Sequence, residues 1–197
     1  MRLPFQGLKI PHMKKLLLHI CCGPCSTTVV ERLSEDYDIT GFFYNPNIYP
    51  EDEYYRRLEA ARASLARFDV PFVEGPYDPE AFSNAVAGFE EEPENGARCT
   101  VCYRLRLSKA AGYGAQNGFD IIASTLTLGP QKKAAVINPI GHEVAGEAGL
   151  TFLDGDWKKK DGFRRSIELS KEFDLYRQHY CGCEFSIWDN DESAKSK

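Results

Sequence analysis

LLLHICCGPCSTTVVERL, residues 16–33, changes character twice in eighteen positions. LLLHI is short, wholly apolar but for one histidine, and ended by a Gly-Pro pair, the signature of a buried strand. Ser26 is suited to cap a helix running on through STTVVERL. The stretch therefore predicts strand, turn and helix, with three cysteines packed into the turn.

The same alternation continues along the chain. DITGFFY (38–44) predicts a second strand, and 49–68 a helix with Tyr54, Leu58, Ala61, Leu65 and Phe68 at helical spacing and acids in its first turn. VPFVEG (70–75) predicts a third strand, 78–89 a helix, EEPENG (91–96) an acidic loop, and CTVCYRLRLSKAAGYGA (99–115) lies on another helix. DIIAST (120–125) and LTFLDGD (150–156) supply two more strands around a helical segment, 131–149, that Pro139 is expected to break. A last helix is expected over 164–174, and the polar stretch 189–197 as a tail after an ordered core of about 14–188. Strand and helix in turn imply an α/β fold, a mainly parallel sheet with helices on both faces, in a single domain (1–197) with a C-terminal helical and loop extension. Ligands of such sheets gather at the carboxyl ends of the strands, where CCGPC falls.

Composition narrows the class. The 197 residues suit one domain with its own core, and 43% hydrophobic with 27% charged residues is ordinary for a globular protein. No run reaches the roughly 18 apolar residues of a membrane span, and LLLHI is too short for a signal-peptide core, so a cytoplasmic protein with no membrane partner is expected. Net charge is −5, yet its distribution is uneven. Residues 1–97 carry 9 Lys and Arg against 16 Asp and Glu, residues 98–178 carry 13 against 9, and residues 179–197 carry 2 against 4. The basic excess of the middle segment allows a polyanion to be met locally.

Seven cysteines in a reducing compartment point to metal ligation or redox chemistry rather than structural disulfides. They form three groups: Cys21, Cys22 and Cys25; Cys99 and Cys102; Cys181 and Cys183. Any one cysteine alone is a small buried hydrophobe, but clustered thiols suit a tetrahedral zinc or an iron-sulfur cluster, which spacing does not separate. CxC at 181–183 supplies either two more metal ligands or a strained, easily reduced dithiol/disulfide pair.

Two loops carry polar recognition chemistry. YNPNIYP (44–50) places Tyr44, Asn45, Asn47 and Tyr49 after the second strand, a stacking and hydrogen-bonding wall for an unpaired base or simply a rigid turn. KKKDGFRR (158–165) follows the last strand; Lys158, Lys159, Lys160, Arg164 and Arg165 suit phosphates, with Ser166 as a helix cap, or form a solvated surface. Lys132 in STLTLGPQKK (124–133) extends that basic edge. There is no GxxxxGK[ST], no GxGxxG and no SGGxDS phosphate loop.

Taken together, LLLHICCGPCS, YNPNIYPEDEYYRR, RCTVCYRLRL, STLTLGPQKK and DWKKKDGFRRSIELSKEFDLYRQHYCGCEFS resemble the epoxyqueuosine reductases of the QueH type, from about Leu16 to Ser186. The resemblance implies a HUP-like (nucleotide-alpha-hydrolase-like) fold. It also implies a cytoplasmic enzyme that reduces epoxyqueuosine at the tRNA wobble position, the last step of queuosine biosynthesis, without cobalamin. Residue by residue, Cys21, Cys22, Cys99 and Cys102 match the ligands of a 4Fe-4S cluster, and Cys181 and Cys183 match the redox-active catalytic pair. An adjacent mononuclear iron is implied as well, with Cys25 at a position that varies between acid and cysteine as a candidate ligand. The partners implied are a tRNA with a queuosine-type anticodon and an unidentified electron donor. Two other readings use the same residues: a zinc-stabilised RNA-binding module, and a cytosolic thiol oxidoreductase acting on a small molecule.

Overall fold

The computed structural model describes residues 13–187. The expected tail at 189–197 lies outside the described residues. The chain runs β1 (Lys14–His19), α1 (Gly23–Leu33), β2 (Tyr37–Phe43), α2 (Glu51–Ala66), β3 (Phe72–Glu74), α3 (Pro79–Ala85), α4 (Ala97–Gln116), β4 (Ile121–Ser124), a 3-10 turn (Thr125–Leu128), α5 (Ala134–Glu147), β5 (Thr151–Phe152) and α6 (Gly162–Glu172).

The five strands form one sheet in the order β3-β2-β1-β4-β5, every neighbouring pair parallel. β1 is central, and its apolar run follows from that position, because a strand covered on both faces needs apolar side chains pointing both ways. Leu16, Leu18 and Ile20 face Val29, Val30, Leu33, Leu58 and Leu65 of α1 and α2, while Leu17 faces Tyr103, Leu107, Ile137 and Val144 of α4 and α5. The expected α/β architecture with helices on both faces is therefore present. α6 packs on α1 in a further layer.

Strand order decides where a ligand can sit. The chain winds from β1 outward through β2 to β3, then returns to β4 on the opposite side of β1, which opens a crevice beyond the carboxyl ends of β1 and β4. The two ends are stitched together: the His19 ring accepts or donates at 3.0 Å with the Ser124 hydroxyl, and the Cys21 N–H donates to Thr125 Oγ1 at 3.3 Å.

Local details depart from the sequence expectations for identifiable reasons. α1 begins at Gly23 rather than at Ser26, with Pro24 supplying a preset first-turn φ. Ser26 is buried inside that turn, bonded to the Gly23 carbonyl and to Ser64 of α2 at 2.8 Å. Gly23 is required by this close approach, since a Cβ there would stand 2.3 Å from the Ala60 carbonyl oxygen. Pro139 lies within a continuous α5 and does not break it; the packing of Ile137, Ile140 and Val144 on the sheet outweighs one lost backbone bond. The strand expected over 150–156 pairs only at Thr151 and Phe152; beyond them the chain leaves β4, whose Ala123 and Ser124 pair with β1 alone. The last helix spans Gly162–Glu172, two residues earlier than expected, and Ser166 is an interior residue bonding back to the Phe163 carbonyl instead of a cap.

Candidate functional site

At the crevice lies a cavity of about 380 Å³. Its walls include Cys21 and Cys25 from the β1–α1 junction, Leu126 and Lys132 after β4, Arg106 of α4, Arg57 of α2, and Gln178 to Cys181 of the C-terminal loop. Residues more than a hundred positions apart thus line one space of nucleoside size.

The tightest feature is a thiol triad. Cys22 is the N-cap of α1 and Cys25 lies three positions on, so both point from the same helix end, and the strand terminus brings Cys21 beside them. The ligand atoms of Cys21, Cys22 and Cys25 all lie within 4.8 Å of one another. Hydrogen bonds from Cys22 and Cys25 hold Cys21 well below the ordinary thiol range. Burial pushes Cys22 up to about 12, and the Cys21 sulfur keeps Cys25 raised. Cys21 is accordingly the sulfur of the three that most favours a negative charge. Gln178 donates to Cys22 Sγ at 3.0 Å and Thr125 contacts Cys21 Sγ at 3.5 Å, supports that sequence spacing did not reveal.

Cys99 and Cys102 approach from the first turns of α4. Cys99 is buried in the apolar cluster against which Cys21 packs, and Cys102 shares a small cluster with Cys183, Phe82 and Val86. The two cysteines of α4 are expected as ligands together with Cys21 and Cys22, but among the described residues the close sulfur group takes Cys25 as its third member. The reason is local: Cys25 is on the same helix end, whereas Cys99 and Cys102 belong to a different face of the sheet. Burial pushes the Cys102 thiol up to about 12.

Cys181 and Cys183 sit in a stretch, 175–183, with neither helix nor strand. Gly182 between them has φ +133°, which disfavours any side chain, and a Cβ there would also lie 2.9 Å from Arg57 Nη1. The loop is strapped down. Arg57 donates to the Cys181 and Tyr180 carbonyls at 2.9 and 3.1 Å, and the Tyr49 N–H donates to the Gly182 carbonyl at 2.8 Å. Arg57 is itself oriented by buried Glu53 at 2.7 Å. Cys181 faces the cavity, whereas Cys183 is buried behind it and its thiol is pushed up by burial. All seven cysteines are free thiols.

The expected nucleic-acid residues divide. Tyr49 is 53% exposed. Tyr44 and Asn45 are buried instead of forming an open wall: Asn45 donates to the Ile20 carbonyl and accepts from Arg106, and the Tyr44 carbonyl accepts from the His19 ring. Asn47 is also buried, beside Gly182 on the cavity wall. Lys132 turns inward from the basic edge; its ammonium lies 2.9 Å from Cys181 Sγ and 3.1 Å from Glu94. Lys158 bonds to the Lys132 carbonyl and pairs with Asp156, Lys159 pairs with Asp156 at 3.1 Å, and Arg165 pairs with Glu31 at 2.6 Å. Lys160 and Arg164 are exposed, Arg164 pairing with Asp161 at 3.2 Å. His19 is fully buried and neutral, held down to about 3 chiefly by burial and then by the charge of Arg106.

Arg106 and Arg57 are the site residues that sequence reading passed over. Arg106 follows Cys102 by four positions, hence on the same helix face, which was a readable signal. Arg57 gave only its i,i+4 spacing from Glu53, since the carbonyls it holds are 123 and 124 residues away.

The family model described as "Epoxyqueuosine reductase QueH" matches residues 16–189. Proteins of that name are similar over most of their length. The one from Streptococcus pyogenes serotype M1 is 43% identical over 177 residues, covering 87% of this chain and 69% of the relative. The one from Acinetobacter baylyi is 39% identical, covering 96% and 88%, and that from Thermotoga maritima 32% identical, covering 91% and 94%. Among solved structures, one described as a predicted subunit of tRNA methyltransferase from Methanocaldococcus jannaschii aligns with a TM-score of 0.52 at 12% identity. It covers 78% of this chain and 76% of its own, a likeness of fold.

Proposed function

This chain belongs to the QueH family of epoxyqueuosine reductases, and from that premise we propose that its cysteine-lined crevice reduces epoxyqueuosine to queuosine at the wobble position of a tRNA anticodon. The observation that carries this reading is the convergence of Cys21, Cys25 and Cys181 on one nucleoside-sized cavity at the switch point of the sheet.

Cys21, Cys22 and Cys25 can hold a metal. Soft thiol donors close together fit an iron-sulfur cluster or zinc, and Cys99 and Cys102 of α4 are the further thiols available, Cys99 in the cluster against which Cys21 packs. We assign Cys21, Cys22, Cys99 and Cys102 to a 4Fe-4S cluster and Cys25 to an adjacent iron. When bound, such iron centres supply single electrons and a Lewis acid for the epoxide oxygen.

The remaining steps belong to side chains of this chain. Opening an epoxide to an alkene and water consumes two electrons and two protons. Closing the Cys181 and Cys183 thiols to a disulfide releases two electrons and two protons, so the pair balances one turnover. An external electron donor then reduces the disulfide. Lys132 supports the role of Cys181 by placing a positive charge on its sulfur at the cavity wall. Arg57 and Tyr49 hold the loop so that Cys181 faces the substrate. The exposed ring of Tyr49 offers a stacking face for a neighbouring base, and the exposed Lys159, Lys160 and Arg164 offer positive charge to anticodon phosphates. Among the described residues no helix is long and apolar enough to cross a membrane, and work on tRNA puts the protein in the cytoplasm.

The test is metal analysis and activity on one preparation. Protein purified without oxygen should contain about four irons and four sulfides per chain, with iron above sulfide where the adjacent site is filled, and should convert epoxyqueuosine in tRNA. One zinc and no sulfide after anaerobic reconstitution, with no turnover, would overturn the reading.

A further inference from the structure

Among the described residues four cationic side chains are buried, and three have evident partners. Arg57 is paired with Glu53 and Lys132 with Glu94, and Arg98 donates to the Glu90 and Glu92 carbonyls. Arg106 differs. Only 4% of it is exposed, and among the described residues no carboxylate pairs with it. One Nη bonds to the Asn45 amide oxygen, the other lies 4.0 Å from Cys102 Sγ, and Nε has no partner. The groups near it that can carry negative charge are the sulfurs of Cys102, Cys21 and Cys181.

A guanidinium taken out of water is costly, and a fold keeps one where acceptors or negative charge compensate it; Arg98, also without a carboxylate pair, is met by two backbone carbonyls, whereas Arg106 has a single amide oxygen. Here the compensating charge has to come from sulfur. We infer that Arg106 is the built-in counter-charge of a thiolate-held iron-sulfur cluster and that it raises the cluster's reduction potential. The inference rests on the iron-sulfur reading above. Its physics is Coulombic: reduction adds one negative charge to the cluster, so a fixed positive charge a few ångströms away stabilises the reduced form more than the oxidised one. Arg106 also lines the cavity, and the poor screening there preserves the effect. Its amide partner Asn45 grips the Ile20 carbonyl, which fixes the guanidinium relative to the strand end that carries Cys21. Arg106 is thus a positioning residue in the electrostatic sense.

The experiment uses the full chain, reconstituted with iron and sulfide without oxygen, as wild type, Arg106→Gln and Arg106→Lys. Iron, sulfide and the midpoint potential from a spectroelectrochemical titration are read for each. Arg106→Gln should keep its cluster and be harder to reduce by at least about tenfold in the equilibrium constant, about 59 mV for one electron. Arg106→Lys, which keeps the charge, should shift by less than half as much. Loss of the cluster in Arg106→Gln alone would support the same conclusion, because charge would then be needed for assembly. A wild-type potential in Arg106→Gln, equal shifts in both variants, or cluster loss in both would overturn it, since shape rather than charge would be at work. Wild-type protein that takes up no sulfide would instead defeat the iron-sulfur reading itself, before any variant is compared.

Discussion

Cys21, Cys22 and Cys25 stand at the junction of the central strand with α1, where backbone hydrogen bonds and a two-sided core hold their positions; Cys181 and Cys183 stand on a loop without helix or strand, held by Arg57, Tyr49 and Lys132. The triad offers sulfurs close together, Cys22 buried and Cys21 and Cys25 half-buried, on backbone that regular structure fixes, which is what a metal demands of its ligands. The CxC loop offers one thiol to the cavity and keeps the other behind it, joined through Gly182, whose conformation only glycine adopts easily. A bond that forms and breaks needs room to rearrange, and a ligand set needs the reverse. We propose that the two cysteine regions divide holding from turning over.

That division can be broken. The largest effect should come from Cys21→Ala, which removes the sulfur of the three that most favours a negative charge: iron and sulfide content and activity should fall together to background. Cys183→Ser should also abolish turnover on epoxyqueuosine tRNA while retaining most of its iron and sulfide; equal loss of iron in both variants would erase the distinction. Arg57→Met leaves Glu53, only 4% exposed, with the Tyr176 hydroxyl but no counter-charge and frees the loop, so stability should drop by about 3 kcal/mol, measured by denaturant unfolding. Its metal content should be affected less than its turnover. Lys132→Met should leave the metal unchanged and slow alkylation of Cys181 by iodoacetamide at neutral pH about tenfold, followed by mass spectrometry. An unaltered rate would detach Lys132 from the redox pair. The smallest effect belongs to the basic loop. Because Lys158 and Lys159 already share Asp156, replacing both by alanine should weaken tRNA binding modestly and reduce the salt slope by less than about one unit each.

Legibility followed the range of the forces involved. The run at 16–20 could be read as a buried strand because an apolar segment between breakers has few other homes, and Ser26, read as a cap, marked the helix start to within a few residues. The two-residue β5 was overdrawn because strand length depends on the partner, and beyond Phe152 the chain leaves β4. Pro139 misled because its local cost is outweighed by an apolar face that only the sheet supplies. At the site, motifs gave the cysteines and the tyrosines as residue types. They gave no sign that Tyr44 and Asn45 turn inward or that Lys132 leaves the basic edge for a sulfur.

By itself the sequence determined the alternation of strand and helix, the three cysteine groups and the family they belong to, since these depend on side-chain periodicity and on spacings of a few residues. Tertiary structure alone decided that β1 and β4 lie side by side, that Cys25 closes on Cys21 and Cys22, and that Arg106 is buried among sulfurs without an acid. The physical reason is that strand order is chosen by which faces can be covered on both sides at once. Contacts between residues a hundred positions apart, such as Cys21 with Thr125, exist only after that choice has been made.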